Sequence, residues 1–180
     1  MKNIKWLLVI LAACLVLTLA ACDDSGTEDS YGTDQQSTAA VQSGNAPNFT
    51  VLDENGNSVK LSDFYGKPVV INFWATWCGY CVREMPDFDK AYAENPDVVF
   101  LMVNVTDGVH ETVDKATAFV QEQGFGFDIY FDTQGQATSA YRITGYPTTV
   151  FVNANGDVVA KEVGMISYET LIAGLELITD

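Results

Sequence analysis

The sequence predicts an α/β fold in which a mixed central sheet is flanked by helices. Residues 69–74 and 98–105 are almost entirely apolar and rich in β-branched and aromatic side chains, which is typical of strands covered on both faces. Helical segments alternate with these strands, and a pair of strands around an Asn-Gly turn precedes the last helix. Strand–helix alternation followed by a terminal hairpin and a helix predicts a mixed sheet with helices on both faces.

The predicted elements follow one another across residues 46–180 without an internal repeat or a further domain boundary. Asn-Gly within residues 54–57 favours a tight turn, and strand-type residues on both sides predict an N-terminal β-hairpin. A brief helical turn begins at Ser62 and ends at Gly66. The later elements are predicted as a strand over 69–74, a helix from Cys78 to about Glu94 that contains Pro86, a strand over 98–105, a helix over 111–123, a strand over 127–131, a short helix over 136–141, hairpin strands over 148–152 and 157–163, and a helix over 168–178 capped by Ser167.

The charge balance excludes some classes of partner. The chain has 24 acidic and 9 basic residues, for a formal net charge of −15. Nucleic-acid binding needs clustered Lys and Arg, so we predict no nucleic-acid partner. The same balance argues against docking on anionic lipid through a basic patch. A hydrophobic content of 48% is enough to form a core, which excludes wholesale disorder.

Residues 1–21 have the pattern of a secretory signal peptide. Two lysines precede an apolar run from Trp6 to Leu17, which is shorter than the ~20 residues of a membrane-spanning helix. Cys22 directly follows Leu19-Ala20-Ala21, and this tetrapeptide resembles the bacterial lipobox, whose cysteine is lipidated and becomes the mature N-terminus. The alternatives are that the segment stays uncleaved as an anchor, or that ordinary signal-peptide cleavage occurs nearby; in both, Cys22 is incidental. In every case the globular part is predicted to lie outside the cytoplasm.

The segment after Cys22 has the composition of a tether. Residues 23–45 carry five acidic residues and no basic residue, and such a stretch cannot bury enough apolar surface to offset its ordering entropy. The predicted organisation is therefore a signal peptide over 1–21, a lipid-anchored acidic tether over 22–45 and one globular domain over 46–180.

The chemistry is predicted to lie at Cys78-Gly79-Tyr80-Cys81, a C-x-x-C motif that follows a buried strand and opens a helix. Unpaired N–H groups and the helix dipole favour a thiolate at such a position, so Cys78 is predicted to be the attacking nucleophile. Cys81, one turn further along, is placed to resolve a mixed disulfide. The alternatives are an inert structural disulfide, or a zinc site in which only His110 could supplement the pair.

Two segments carry a resemblance to a known family. Phe73-Trp74-Ala75-Thr76-Trp77-Cys78-Gly79-Tyr80-Cys81 and Gly145-Tyr146-Pro147-Thr148 resemble the thioredoxin superfamily. More narrowly, they resemble the membrane-tethered TlpA/ResA-type thiol-disulfide oxidoreductases of bacteria. The resemblance covers residues 47–178, and it implies a thioredoxin-like fold with an N-terminal β-hairpin and an inserted helix–strand segment at about 111–131.

The resemblance implies a substrate-binding surface around the cysteines. In the family, the proline at the position of Pro147 is cis and lies against the disulfide, and the residue before it, here Tyr146, offers backbone groups to an extended substrate. Trp77, Gly79 and Tyr80 would form the rim of the nucleophilic sulfur. The alternative for Trp77 and Tyr80 is that their side chains only pack against the protein and have no role in substrate binding.

The resemblance also implies a role for Glu84, three residues beyond Cys81 and on the same helix face. In ResA-like members, a glutamate here tunes the cysteine pKa values and moves protons for the buried thiol. The alternative is an acid that only favours the helix start. Asn72 stands where typical thioredoxins have a buried aspartate, which leaves Glu84 as the candidate for proton transfer. Arg83 is predicted to be a surface charge.

Together these features predict a lipid-anchored reductase of disulfides at the outer face of the cytoplasmic membrane. The family implies a DsbD- or CcdA-like membrane electron donor. It implies apocytochrome c, methionine sulfoxide reductases or other oxidised exported proteins as acceptors. No cofactor and no metal is predicted to take part, and the domain is predicted to be a monomer.

Two other functions stay open at this point. A thiol peroxidase of the same fold expects a Pro-x-x-x-Thr-x-x-Cys loop, which the segment before Cys78 does not match. A copper-binding maturation factor spaces its cysteines by three residues, and His110 has no supporting motif.

Overall fold

The structure is a computed structural model that describes residues 46–179. The predicted signal peptide, the lipidation site Cys22 and the acidic tether lie outside the described residues. Within residues 46–179, none of the helices has the length and apolar character needed to cross a membrane.

The described residues form seven strands and four α-helices in the predicted order. The elements are β1 (Thr50–Leu52), β2 (Ser58–Lys60), a 3₁₀ turn (Leu61–Phe64), β3 (Val69–Trp74), α1 (Gly79–Glu94), β4 (Val99–Asn104), α2 (Val113–Gln123), β5 (Ile129–Phe131), α3 (Gln136–Ala140), β6 (Thr148–Val152), β7 (Val158–Val163) and α4 (Tyr168–Thr179). The helix predicted from residue 111 begins at Val113 because Thr112 is its N-cap, accepting a hydrogen bond from the Lys115 amide.

The strands form one mixed sheet in the order β2-β1-β5-β4-β3-β6-β7. β3, β4 and β5 run parallel, whereas β6 is antiparallel to β3 and forms a hairpin with β7. The N-terminal hairpin of β1 and β2 joins this sheet through an antiparallel pairing with β5. The predicted mixed sheet is therefore confirmed, and the segment containing α2 and β5 connects the hairpin to the rest of the domain.

Strand β3 is covered on both faces, as its apolar sequence predicts. All six of its residues are buried. Val70 and Trp74 face a core cluster shared with α1, α2 and α4, whereas Ile71 and Phe73 face a second cluster under α3 and the 3₁₀ turn. The end of β3 is therefore packed on both faces, and a short turn joins it to the C-x-x-C motif at Cys78.

Gly174 in α4 is required by close packing against β6. A Cβ atom built there would lie 2.2 Å from Phe151 Cε1. In an open helix Gly→Ala stabilises by about 1 kcal/mol, but overpacking a core costs about 1–3 kcal/mol. We expect Gly174→Ala to lower the free energy of unfolding, measured by urea denaturation. The control is Gly79→Ala in α1, where nothing lies within 4 Å of the added Cβ; a more stable Gly174→Ala variant would contradict the packing.

Candidate active site

The two cysteines lie at the point where β3 gives way to α1. Cys78 is the N-cap of α1, and its Sγ accepts a hydrogen bond from the Cys81 amide at 3.1 Å. The pair forms a disulfide with a Cα–Cα distance of 5.2 Å. Cys78 retains 7% of its surface exposed, whereas Cys81 has none. Only Cys78 is therefore accessible to a substrate, and in the reduced protein the amide hydrogen bond would favour its thiolate.

An exposed aromatic rim borders Cys78. Trp77 and Tyr80 are 55% and 58% exposed, and contiguous exposed apolar surface of this kind marks interaction sites. The Tyr146 ring packs edge-on against Trp77, with ring centroids 5.7 Å apart, and Arg83 lies over the Tyr80 ring at 4.5 Å. The structure thus brings Tyr146, distant in sequence, beside the C-x-x-C motif.

The Tyr146–Pro147 peptide bond is cis, as the family resemblance implies. Pro147 is buried, and its carbonyl accepts a hydrogen bond from the Gly164 amide at 2.8 Å. Since β6 begins at Thr148 and pairs with β3, the segment before it lies at the same edge of the sheet as Cys78.

Glu84 is a buried carboxylate one helical turn below Cys81. Its side chain is 1% exposed, and it accepts hydrogen bonds from Asn72 Nδ2 at 2.8 Å and from the Ile166 amide at 3.1 Å. The two ion pairs found within residues 46–179 do not involve it. Burial raises the pKa of Glu84 to about 7, although both hydrogen bonds act in the opposite direction. A group with this pKa can gain and release protons near neutral pH.

The Asn72 side chain holds the Glu84 carboxylate in place. Asn72 lies at the middle of β3, where it also donates to Thr149 Oγ1 at 3.1 Å. The amide therefore links β3, β6 and α1 in one buried polar cluster. The sequence could suggest Glu84 from its spacing, but the partners Thr149 and Ile166 come from distant segments and could not be predicted.

Arg83 and His110 lie at the surface of the domain. Arg83 is exposed, and His110 is an exposed loop residue whose Nδ1 lies 3.1 Å from Asp107 Oδ2. Within residues 46–179 there is no group of three or more His, Cys, Asp or Glu side chains that could hold a metal ion.

Sequence reasoning missed Glu111, which it assigned only to a helix start. Glu111 is fully buried and accepts hydrogen bonds from the backbone and hydroxyl of Thr76, two residues before Cys78. The carboxyl ends of neighbouring parallel strands meet at one edge of a sheet, so the segment after β4 could be expected near Cys78, but no sequence signal singles out Glu111 within that segment.

The sheet order, the C-x-x-C disulfide at the start of a helix and the cis-proline before the strand next to β3 define a thioredoxin-fold thiol-disulfide oxidoreductase. The comparisons with known proteins agree. The chain belongs to the AhpC/TSA family, whose model matches residues 43–161, and to the ResA group of thiol-disulfide oxidoreductases.

The ResA protein of Geobacillus kaustophilus is 34% identical over 173 residues, covering 95% of each chain. Among solved structures, the pneumococcal exposed lipoprotein thioredoxin Etrx1 of Streptococcus pneumoniae has a TM-score of 0.64 and 26% identity, covering 72% of this chain and 98% of its own. A secreted disulfide oxidoreductase of Mycobacterium tuberculosis has a TM-score of 0.62 and 26% identity, covering 71% and 94% respectively. The chain is thus a ResA-like thiol-disulfide oxidoreductase.

Proposed function

We propose that this protein reduces disulfides of exported proteins at the outer face of the cytoplasmic membrane, with apocytochrome c, a methionine sulfoxide reductase or a similar oxidised exported protein as the physiological acceptor. The observation that carries the proposal is the unequal burial of the two sulfur-bearing residues. Cys78 is accessible at a helix N-terminus, whereas Cys81 is fully covered and lies one turn above the buried Glu84. This arrangement supports an attacking thiol followed by a protected resolving thiol.

The proposed reaction consumes one substrate disulfide and oxidises the Cys78–Cys81 pair. The Cys78 thiolate attacks a substrate sulfur, forms a mixed disulfide and releases the other substrate sulfur as a thiolate. Cys81 then loses its proton to Glu84 and attacks Cys78 Sγ, which releases the second substrate thiolate. Two electrons pass to the substrate, and a dithiol electron donor must reduce the resulting disulfide before the next cycle.

We place substrate binding on the aromatic rim. Trp77, Tyr80 and Tyr146 present apolar surface beside Cys78, and Gly79 is exposed between the two cysteines. An extended peptide could pair with the backbone at Tyr146, next to Pro147, in the manner of an added strand.

The membrane location and the partners belong to the same proposal. Cleavage after residue 21 and lipidation of Cys22 would hold the domain at the membrane through the tether, since two or more acyl chains give stable anchoring. The descriptions of two structural relatives as an exposed lipoprotein and a secreted protein support an extracytoplasmic location. We further propose a DsbD- or CcdA-like membrane electron donor and a monomeric state.

The reduction potential tests the direction of the reaction. We expect a potential at or below about −200 mV, in the range of reducing thioredoxin-fold proteins. The physical reason is that the buried Glu84 carboxylate opposes thiolate formation near Cys81, so the reduced form lacks the thiolate stabilisation that gives strong oxidants their high potential. Equilibration with glutathione redox buffers would give the value, with the tryptophan fluorescence of the protein reporting the oxidised fraction, since Trp77 is adjacent to Cys78.

A Cys78→Ser variant should show no redox transition in the same titration and serves as the control. A potential near about −120 mV, as in strong oxidants, would contradict the reductase direction while leaving the exchange chemistry intact.

A further inference from the structure

A second buried carboxylate lies at the active-site edge of the sheet, apart from the Cys78–Cys81–Glu84 cluster. Glu111 is 0% exposed. Its Oε1 accepts hydrogen bonds from the Thr76 amide at 2.8 Å and from Asn104 Nδ2 at 2.7 Å. Its Oε2 accepts from Thr76 Oγ1 at 2.6 Å. Both carboxylate oxygens are therefore used by the turn before Cys78 and by the end of β4.

The surroundings of Glu111 compensate the burial of its charge. An isolated buried carboxylate is strongly unfavourable, but charge-assisted hydrogen bonds and a cation offset that penalty. Three donors contact the carboxylate, and Lys115 Nζ lies 3.5 Å from Oε2 with its side chain half-exposed. An acid that merely preceded a helix would not need this complete set of partners.

The loop between β4 and α2 is built to deliver this side chain. Asp107 Oδ1 accepts hydrogen bonds from the amides of Val109, His110 and Glu111 at 2.7–2.9 Å. The Gly108 amide donates to the Glu111 carbonyl at 2.9 Å. The Glu111 backbone is therefore fixed at both its N–H and its C=O, and its side chain enters the interior in a preorganised position.

The residues that Glu111 holds form the turn that presents the nucleophile. The Cys78 amide donates to the Ala75 carbonyl at 3.1 Å, so Thr76 and Trp77 are the central residues of a tight turn between β3 and α1. Fixing the Thr76 amide and hydroxyl fixes this turn. Its orientation decides where Trp77 and the Cys78 N-cap point.

We propose that Glu111 is a positioning residue for thiol-disulfide exchange, holding the Ala75–Cys78 turn against β4 so that Cys78 and Trp77 face the substrate. The proposal rests on the exchange chemistry and is independent of its direction or its substrate. A misplacement of the nucleophile by a fraction of an ångström to 1 Å slows a reaction by about 10- to 100-fold.

The test measures the attack by Cys78 alone. The full chain carrying Cys14→Ser and Cys22→Ser is reduced and mixed with 2,2′-dithiodipyridine, and the second-order rate constant is followed by thiopyridone absorbance well below the melting temperature. We expect Glu111→Ala to lower this rate constant about 10-fold. Glu111→Gln should restore it to within about 3-fold, because the amide can accept from the Thr76 N–H and donate to the Thr76 hydroxyl.

Asp132 provides a chemically matched control. It is a buried acid that accepts hydrogen bonds from the amides of Ala137 and Thr138 and from Thr138 Oγ1, all in α3. Asp132→Ala should lower the melting temperature but change the rate constant less than about 2-fold. An equal loss of rate in this variant would show that Glu111 contributes only stability, and would overturn the proposal.

Thr76→Val keeps the test decisive if Glu111→Ala does not fold. Valine has the shape of threonine but loses the hydroxyl bond to Glu111, so we expect a rate constant lowered about 3-fold. An unchanged rate in Thr76→Val or Glu111→Ala would overturn the proposal, as would a Glu111→Gln variant no faster than Glu111→Ala.

Discussion

Replacing Cys81 with serine is expected to stop turnover and to leave Cys78 joined covalently to its substrates. Cys78 is the accessible residue of the pair and lies at a helix N-terminus, so its attack remains possible without Cys81. The mixed disulfide cannot be resolved, because Cys81 is the thiol that is placed to attack Cys78 Sγ. We expect steady-state disulfide reduction to fall by roughly 10³-fold or more, as happens when a member of a catalytic unit is removed.

The measurement is a non-reducing gel of cells expressing the full chain, with the adducts identified by mass spectrometry after purification. The matched control is Cys78→Ser, which leaves the fully buried Cys81 and should form no adducts. Adducts of equal amount in both variants, or none in Cys81→Ser, would show that the assigned order of attack is wrong. The identity of the trapped proteins tests the proposed acceptors separately from the chemistry.

Much of the fold follows from local sequence patterns. Three local signals are the apolar run of β3, the Asn-Gly turns of the two hairpins and Gly124 after α2. The structure has the strand, the hairpins and the end of the helix at the positions that these signals predict. Gly124 adopts a left-handed conformation with φ 73°, which favours glycine and ends the helix. These elements could be predicted because their determinants lie within a few residues along the chain.

The contacts that assemble the site are not local, and the sequence could not specify them. The packing of Tyr146 on Trp77 and the hydrogen bond from Ile166 to Glu84 join segments about 70 to 80 residues apart. Glu111 shows the same limit. In sequence it is an ordinary acid before a helix, whereas in the structure it is a fully buried acceptor for the active-site turn. Spacing on one helix could suggest Glu84, but no comparable spacing relates Glu111 to Cys78.

Glu84 should also make folding stability depend on pH. Its pKa rises from 4.5 in the unfolded chain to about 7 in the folded protein because the carboxylate is buried. The folded state therefore binds this proton more tightly than the unfolded state. The resulting contribution to the free energy of unfolding is fully present below about pH 4.5 and is lost as the pH rises through about 7. The loss amounts to roughly 3 kcal/mol, since one pKa unit corresponds to about 1.4 kcal/mol.

Glu84→Gln is expected to slow the resolving step about 100-fold, the size of effect typical of a lost general base. Glutamine occupies the same space but cannot accept the Cys81 proton. The mixed disulfide should accumulate during turnover, whereas the first attack by Cys78 should change little. Stopped-flow measurements of both steps from pH 5 to 9 would separate them: the wild-type resolving rate should rise through about pH 7, and the variant should lack that rise.

The same variant links the chemistry to the stability measurement, because one ionisation governs both. Urea denaturation should find Glu84→Gln more stable than the wild type at pH 8, with the difference shrinking towards pH 5. Glu176→Gln, at an exposed position of α4, is the matched control and should alter neither the rates nor the pH dependence of stability. If Glu84→Gln removed the pH dependence of stability but left the resolving rate unchanged, the carboxylate would be a buried structural group, and the proton of Cys81 would have to leave by another path.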